Sequence, residues 1–192
     1  MILSDEDIAR LMISGELVVD DKYMVEMQSA SICLHLSDDI IVFLGAESEE
    51  VDLRQAATYP ATTEQKIEPS GYVLQPDQFI LGATKERIGL PNSISGHLSN
   101  ISGLARLGLN TILSTHISPG FGTASPRPIT LEIKNSSKFP IRIFSGMRIC
   151  HLIFMSLLTQ TSNGYDERNP GKYCSNSPQG SEFFKHTGLN LR

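Results

Sequence analysis

Short runs in which every second residue is apolar recur along this chain, punctuated by Gly, Pro and Asn. The first stretch is different. Ser4 with Asp7 three residues on resembles a capping box, and Ile8, Leu11 and Met12 follow at helical spacing until Gly15 offers a stop, which predicts one short N-terminal helix. Ile32, Leu34 and Leu36 alternate with Ser31, Cys33 and His35 as a half-buried strand, and the continuous apolar run 40–44, bounded by Asp39 and Gly45, predicts a second. Residues 46–70 are polar, acidic at Glu47, Glu49, Glu50 and Asp52, and lack a sustained period, so a long excursion with at most one short strand is expected there. Strand patterning returns at 72–74 and 79–81 around a Pro76-Asp77 turn, then in Ile94 and Leu98 after Leu90-Pro91. Residues 140–144, a Ser145-Gly146 turn and residues 149–158 predict two more strands. Short strands, frequent turn residues and little helix argue for an all-β barrel or sandwich.

The stretch 99–135 carries the most chemistry. Ser102 and Gly103 precede Leu104-Ala-Arg-Leu107, a short helical run whose free backbone N–H groups can receive an anion. Ile129, Leu131 and Ile133 alternate with Thr130, Glu132 and Lys134, the period of a strand with one buried face, which puts Glu132 in mid-strand. A lone carboxylate there is ordinarily part of a solvated sheet face.

Composition narrows the function classes. A chain of 192 residues fits one domain with a proper core, and 16 basic against 21 acidic residues give a net charge of −5, which disfavours a nucleic-acid binder. Cys33, Cys150 and Cys174 are odd in number and form no C-x-x-C pair, as expected of reduced thiols. No signal-peptide pattern and no apolar run of membrane-spanning length is present, so a soluble cytoplasmic protein is expected, without membrane partners.

Ser102-Gly-Leu-Ala-Arg106-Leu-Gly-Leu, His116-Ile-Ser-Pro-Gly120-Phe, Leu131-Glu132 and Asn135-Ser-Ser together resemble the core of the dCTP deaminases, which share a fold with the trimeric dUTPases. The opening Met1-Ile-Leu-Ser-Asp-Glu-Asp-Ile8, the runs 28–36 and 84–91, and Tyr165-Asp-Glu-Arg-Asn-Pro-Gly-Lys172-Tyr173 extend the likeness over nearly the whole chain. The resemblance implies a distorted β-barrel or jelly-roll, a homotrimer with sites between subunits, and a C-terminal segment, residues 160–192, that folds over a bound nucleotide. Composition alone reads that segment as a loose tail.

Deaminating cytosine requires water to attack C4, a proton to reach N3 and ammonia to leave. Most nucleobase deaminases activate that water with zinc through H-x-E and P-C-x-x-C motifs. None of His35, His97, His116, His151 or His186 begins H-x-E, so a zinc-independent reaction is expected. In the family a carboxylate does this work alone. The matching general base is Glu132, with Ser102 and Arg106 matching the residues that position water and stabilise charge. For the nucleotide, the resemblance implies Ser102, Gly103, His116, Ser118, Phe121, Tyr165, Lys172 and Gln179, with Mg2+ entering on the phosphates.

The chain departs from the family around the ligand. Ile101 stands where Arg normally opens the motif, so a phosphate-facing guanidinium is missing. Ser118 replaces the Asp before Pro-Gly that contacts the 3′-hydroxyl and, in dUTPases and bifunctional enzymes, serves the hydrolytic water; His116 replaces an Arg. Residues 122–128 form a longer turn than the family's, in which Arg127 is read as an exposed loop arginine rather than as one that returns a positive charge to the site, and 175–178 lengthens the spacing to Gln179. Cys33 and His35 replace an Asp and an Arg and are read as structural replacements at a subunit contact. The leading reading is a deaminase of a cytosine nucleotide, set against a non-catalytic nucleotide-binding relative and, last, a dUTP diphosphatase.

Overall fold

The computed structural model describes residues 1–20, 25–45 and 49–186, so residues 46–48 of the acidic excursion and 187–192 of the tail lie outside it. The chain begins with helix α1 (Asp5–Ser14), where the Ser4 hydroxyl accepts the Asp7 N–H, the Asp7 carboxylate accepts the Ser4 N–H, and Gly15 closes the helix at φ 77°. Strands β1 (Val18–Asp20), β2 (Glu26–Gln28), β3 (Ser31–His35) and β4 (Asp39–Gly45) follow, then β5 (Ala61–Lys66), β6 (Tyr72–Leu74), β7 (Phe79–Ala83), β8 (Arg87–Gly89) and β9 (Ile94–Asn100). A single helical turn, α2 (Ser102–Ala105), leads to β10 (Leu109–Asn110), β11 (His116–Ile117), β12 (Thr130–Asn135), β13 (Ile141–Ile143) and β14 (Arg148–Ser156), and α3 (Tyr165–Arg168) opens the C-terminal segment.

Two five-stranded antiparallel sheets, ordered β10-β12-β7-β4-β5 and β11-β9-β14-β3-β2, carry the architecture, accompanied by two-stranded sheets β1-β8 and β13-β6. Non-consecutive neighbours make it a jelly-roll-like sandwich rather than a meander. Ile32 and Leu34 of one sheet and Val42, Ile80, Leu131 and Ile133 of the other belong to one buried apolar cluster, joined by Ile8 of α1. The excursion contains β5 and a 3-10 turn at Ala56–Thr58, in keeping with the expectation of one short strand. The strands β1, β2, β8, β10 and β11, each two or three residues long, are too short to leave a period in the pattern.

The expectation that β3 is half-buried needs correction, because Cys33 is buried along with Ile32 and Leu34 rather than facing solvent. Burial, with the Glu26 charge adding to it, pushes its thiol up to about 11, and burial likewise raises Cys150, so both remain protonated core residues. His35 is held within the chain: its Nδ1 lies 2.6 Å from buried Glu86, and Glu86 also accepts the His35 backbone N–H at 2.9 Å.

Candidate active site

The register of β12 decides where Glu132 points. Leu131 lies opposite Gly82 and Ile133 opposite Ile80, both turned into the core, so Thr130, Glu132 and Lys134 leave the sheet on its other face with Leu81 and Phe79. Ile41 and Phe43 of β4 share that face through the Ile41–Leu81 pairing. Leu81 and Ile41 are buried, 7% and 5% exposed, yet stand outside the main core cluster. Another layer must therefore cover them. It is formed by the excursion after β4, through Leu53 and Tyr59, and by the C-terminal segment, through Tyr173 and Gln179. Tyr59 and Phe184 meet edge to face at 5.9 Å, joining the two halves of the cover.

Beneath that cover is a cavity of about 690 Å³, with stacked Phe43 and Phe79 on its floor (centroids 5.3 Å apart) and Glu132 and Thr130 beside them. His116, Ser118, Phe121 and Tyr165 form one end. Burial raises the Tyr165 hydroxyl pKa, so this phenol stays neutral at physiological pH. The volume suits a small ligand with a ring and a few polar groups.

The Glu132 carboxylate is held by the backbone. Its Oε2 accepts the N–H groups of Leu113 (3.2 Å) and Ser114 (3.1 Å). Those amides are fixed by a polar knot beneath them: the N–H of buried Thr111 donates to Asn100 Oδ1 at 2.9 Å, its hydroxyl donates to the Ile149 carbonyl at 2.9 Å, and the Ile112 N–H donates to Asn110 Oδ1. Among the described residues no donor reaches Oε1, which leaves that oxygen available to a water or a ligand proton.

Ser102, Gly103 and Arg106 do not line this cavity; all three are exposed on or beside α2. Gly108 lies opposite Ser136, whose N–H donates to its carbonyl, and Ser136 is four residues, roughly 13 Å, along the chain from Glu132. Ser102 is the first residue of α2 and not its N-cap. That position is Ile101, which offers no side-chain bond, and α2 is one turn long. Lys172 is half-buried outside the cavity lining.

Arg127 overturns its expectation as an exposed loop arginine. It is 4% exposed, its guanidinium donates to both carboxylate oxygens of Asp166 (2.6 and 3.3 Å), and it lies 4.3 Å from the centroid of the Phe121 ring. Burial would raise the Asp166 carboxyl, but the guanidinium and the Ala124 and Gly122 amides outweigh burial and hold it below the usual carboxylate range.

A family model described as dCTP deaminase-like matches residues 2–157. The chain belongs to that family. Over 172 residues it is 33% identical to a dUMP-forming dCTP deaminase of Persephonella marina, covering 90% of this chain and 93% of that one. It is 34% identical over 182 residues to a dCTP deaminase of Rhodospirillum rubrum, covering 90% and 91%. The fold resembles the crystal structure of 2′-deoxycytidine 5′-triphosphate deaminase from Agrobacterium tumefaciens, with a TM-score of 0.60 at 22% identity. That match covers 81% of this chain and 48% of the longer one.

Within this family member, the residues singled out from sequence fall into two groups. Glu132, His116, Ser118, Phe121, Tyr165 and Gln179 share the cavity, and Ser102, Gly103, Arg106 and Lys172 do not. Sequence reasoning missed Phe43, Phe79 and Tyr59, which read as ordinary strand and loop aromatics until the sheet order and its cover are known. Among the described residues, no three His, Cys, Asp or Glu side chains are grouped to hold a metal ion.

Proposed function

We propose that the protein hydrolytically deaminates dCTP to dUTP and ammonia, with Glu132 as the general base. The observation that carries this reading is the half-enclosed carboxylate, anchored through Oε2 and open at Oε1, beside an aromatic floor. Cytosine stacks on that floor with C4 toward Glu132. The carboxylate takes a proton from the attacking water, delivers it to N3, takes the second water proton as the tetrahedral centre collapses, and hands it to the departing amine. Desolvation inside the covered cavity favours both transfers.

The product is dUTP rather than dUMP. Ser118 is at the place of the family's second carboxylate, and among the described residues lining the cavity Glu132 is the one acid, so a second carboxylate to serve a hydrolytic water at the α-phosphate is lacking there. Ser102 and Arg106 act in this reading from a neighbouring copy of the chain in a homotrimer, since within one chain α2 lies beyond the end of β12. They help to position the water and stabilise charge, while Gly103, Tyr165, Lys172 and Gln179 receive phosphate. The C-terminal segment closes over the nucleotide, with His116, Ser118 and Phe121 toward the sugar. Mg2+ fits as an ion carried by the triphosphate and its waters, because one amide-bound carboxylate makes no protein cage. Among the described residues no helix is long and apolar enough to cross a membrane, and a nucleotide substrate points to the cytoplasm.

The test is ammonia and pyrophosphate release from dCTP, CTP, dCMP, deoxycytidine and dUTP with Mg2+. Ammonia from dCTP without pyrophosphate is expected. Pyrophosphate from dUTP would overturn the product assignment, and nucleotide binding without ammonia release from any cytosine compound would favour a non-catalytic relative.

A further inference from the structure

Arg127 is immobilised on three sides. Its backbone forms a two-way bridge with Ile88, through Ile88 N–H to Arg127 O at 2.9 Å and Arg127 N–H to Ile88 O at 3.3 Å. Its guanidinium forks onto Asp166, the second residue of α3, and its flat face rests on Phe121. Asp166 in turn accepts the Ala124 N–H at 3.2 Å and the Gly122 N–H at 3.4 Å, so the long turn 122–128 and the start of the C-terminal segment are tied through one carboxylate. The backbones beside the pair also touch. Tyr165 N–H donates to Pro119 O at 2.7 Å, and a Cβ on Gly120 would come within 2.5 Å of Gly164 Cα, an approach that glycine alone permits.

The two rings nearest this guanidinium are cavity walls. Phe121 and Tyr165 lie 5.8 Å apart and both face the space that holds Glu132. Beyond α3 the segment returns toward the cavity, where Gln179 N–H donates to Thr130 Oγ1 at 3.4 Å and Phe184 meets Tyr59 edge to face. A buried, two-toothed ion pair at the root thus sets where the rest of the segment starts.

We propose that Arg127 is a positioning residue for the nucleotide site, acting through Asp166 to fix the root of the C-terminal segment and the Phe121–Tyr165 wall. This rests on the reading of the cavity as the nucleotide site. Arg127 does not replace the guanidinium missing at Ile101, because its charge is neutralised by Asp166 and covered by aromatic rings. Its contribution is to binding rather than to the proton transfers, so its loss raises KM and leaves kcat nearly unchanged.

The full-length protein and its Arg127→Met, Asp166→Asn and Arg127→Lys variants decide this by hydrogen–deuterium exchange without ligand and by kinetics with dCTP. In Arg127→Met and Asp166→Asn, exchange across 165–181 should rise at least about tenfold while β7 and β12 stay protected, and KM should rise about tenfold with kcat within about threefold. Arg127→Lys, which keeps the charge but not the fork, should fall between. Unchanged exchange in 165–181, an equal rise in β7 and β12, or a kcat loss at constant KM would each overturn the proposal. If the unmodified protein does not convert dCTP, the functional reading fails, and the exchange comparison, which needs no substrate, still supports or overturns the anchor.

Discussion

Glu132 stands directly across the β12–β7 ladder from Leu81, and this pairing turns the carboxylate away from the core and under a second layer of chain. The same pairing puts an apolar floor beside a charged group. Glu132→Gln keeps an oxygen that can accept the Leu113 and Ser114 amides but cannot take a proton. Ammonia release should fall by about a thousandfold or more, with a circular dichroism spectrum and melting temperature close to those of the unmodified protein. Retained turnover would remove Glu132 from the role of base.

The separation of α2 from Glu132 within one chain makes a prediction about mixtures. Arg106→Ala and Glu132→Gln should each be inactive alone. Unfolded together and refolded as mixed oligomers, they should recover a fraction of activity, because some sites then pair an intact Arg106 with an intact Glu132 from different copies. No recovery in mixed oligomers verified by mass spectrometry would argue that both groups act from the same chain.

The Asp166 carboxyl is held below its ordinary value, so it binds fewer protons folded than unfolded at mildly acid pH. Its stabilising contribution is therefore complete above the unfolded carboxylate value of about 3.9 and is lost as pH falls through the lower folded value. The melting temperature of Asp166→Asn should lie below that of the unmodified protein by a constant margin from pH 8 to about 5, and the margin should close as pH falls further. A margin that persists undiminished well below pH 3 would mean the pair is not what the substitution disturbs.

Glu86 is 2% exposed and accepts both the backbone and ring N–H of His35, a strand away. Glu86→Ala leaves those half-buried donors without their acceptor, and a loss of about 2 kcal/mol is expected in denaturant unfolding. Lys66→Ala, which removes exposed pairs to Asp38 and Asp39, should cost less than about 1 kcal/mol in the same measurement.

Much of the fold was legible because local chemistry specifies it. Ser4, Asp7 and Gly15 bounded α1, and the alternation of Ile129, Leu131 and Ile133 marked β12. Cys33 was misread because alternation presumes one wet face, whereas Ile32, Cys33 and Leu34 of β3 are all buried, so both faces of the strand are covered there. Arg127 was misread for a related reason. A Pro-flanked arginine in a Ser-, Gly- and Pro-rich turn has the composition of an exposed loop, and its partner Asp166 lies 39 residues away.

The order of residues alone determined the class of fold and put a carboxylate in mid-strand, since period, caps and turn residues act over a few positions and are written locally. Which neighbours that carboxylate would meet was decided only by tertiary structure. Sheet order placed Phe43 and Phe79 on its face, chain return brought Tyr165 and Gln179 over it, and the rigid course of β10 carried Ser102 and Arg106 away from it. Contacts between residues far apart in the chain depend on strand pairing and shared burial, which leave no period behind in the sequence.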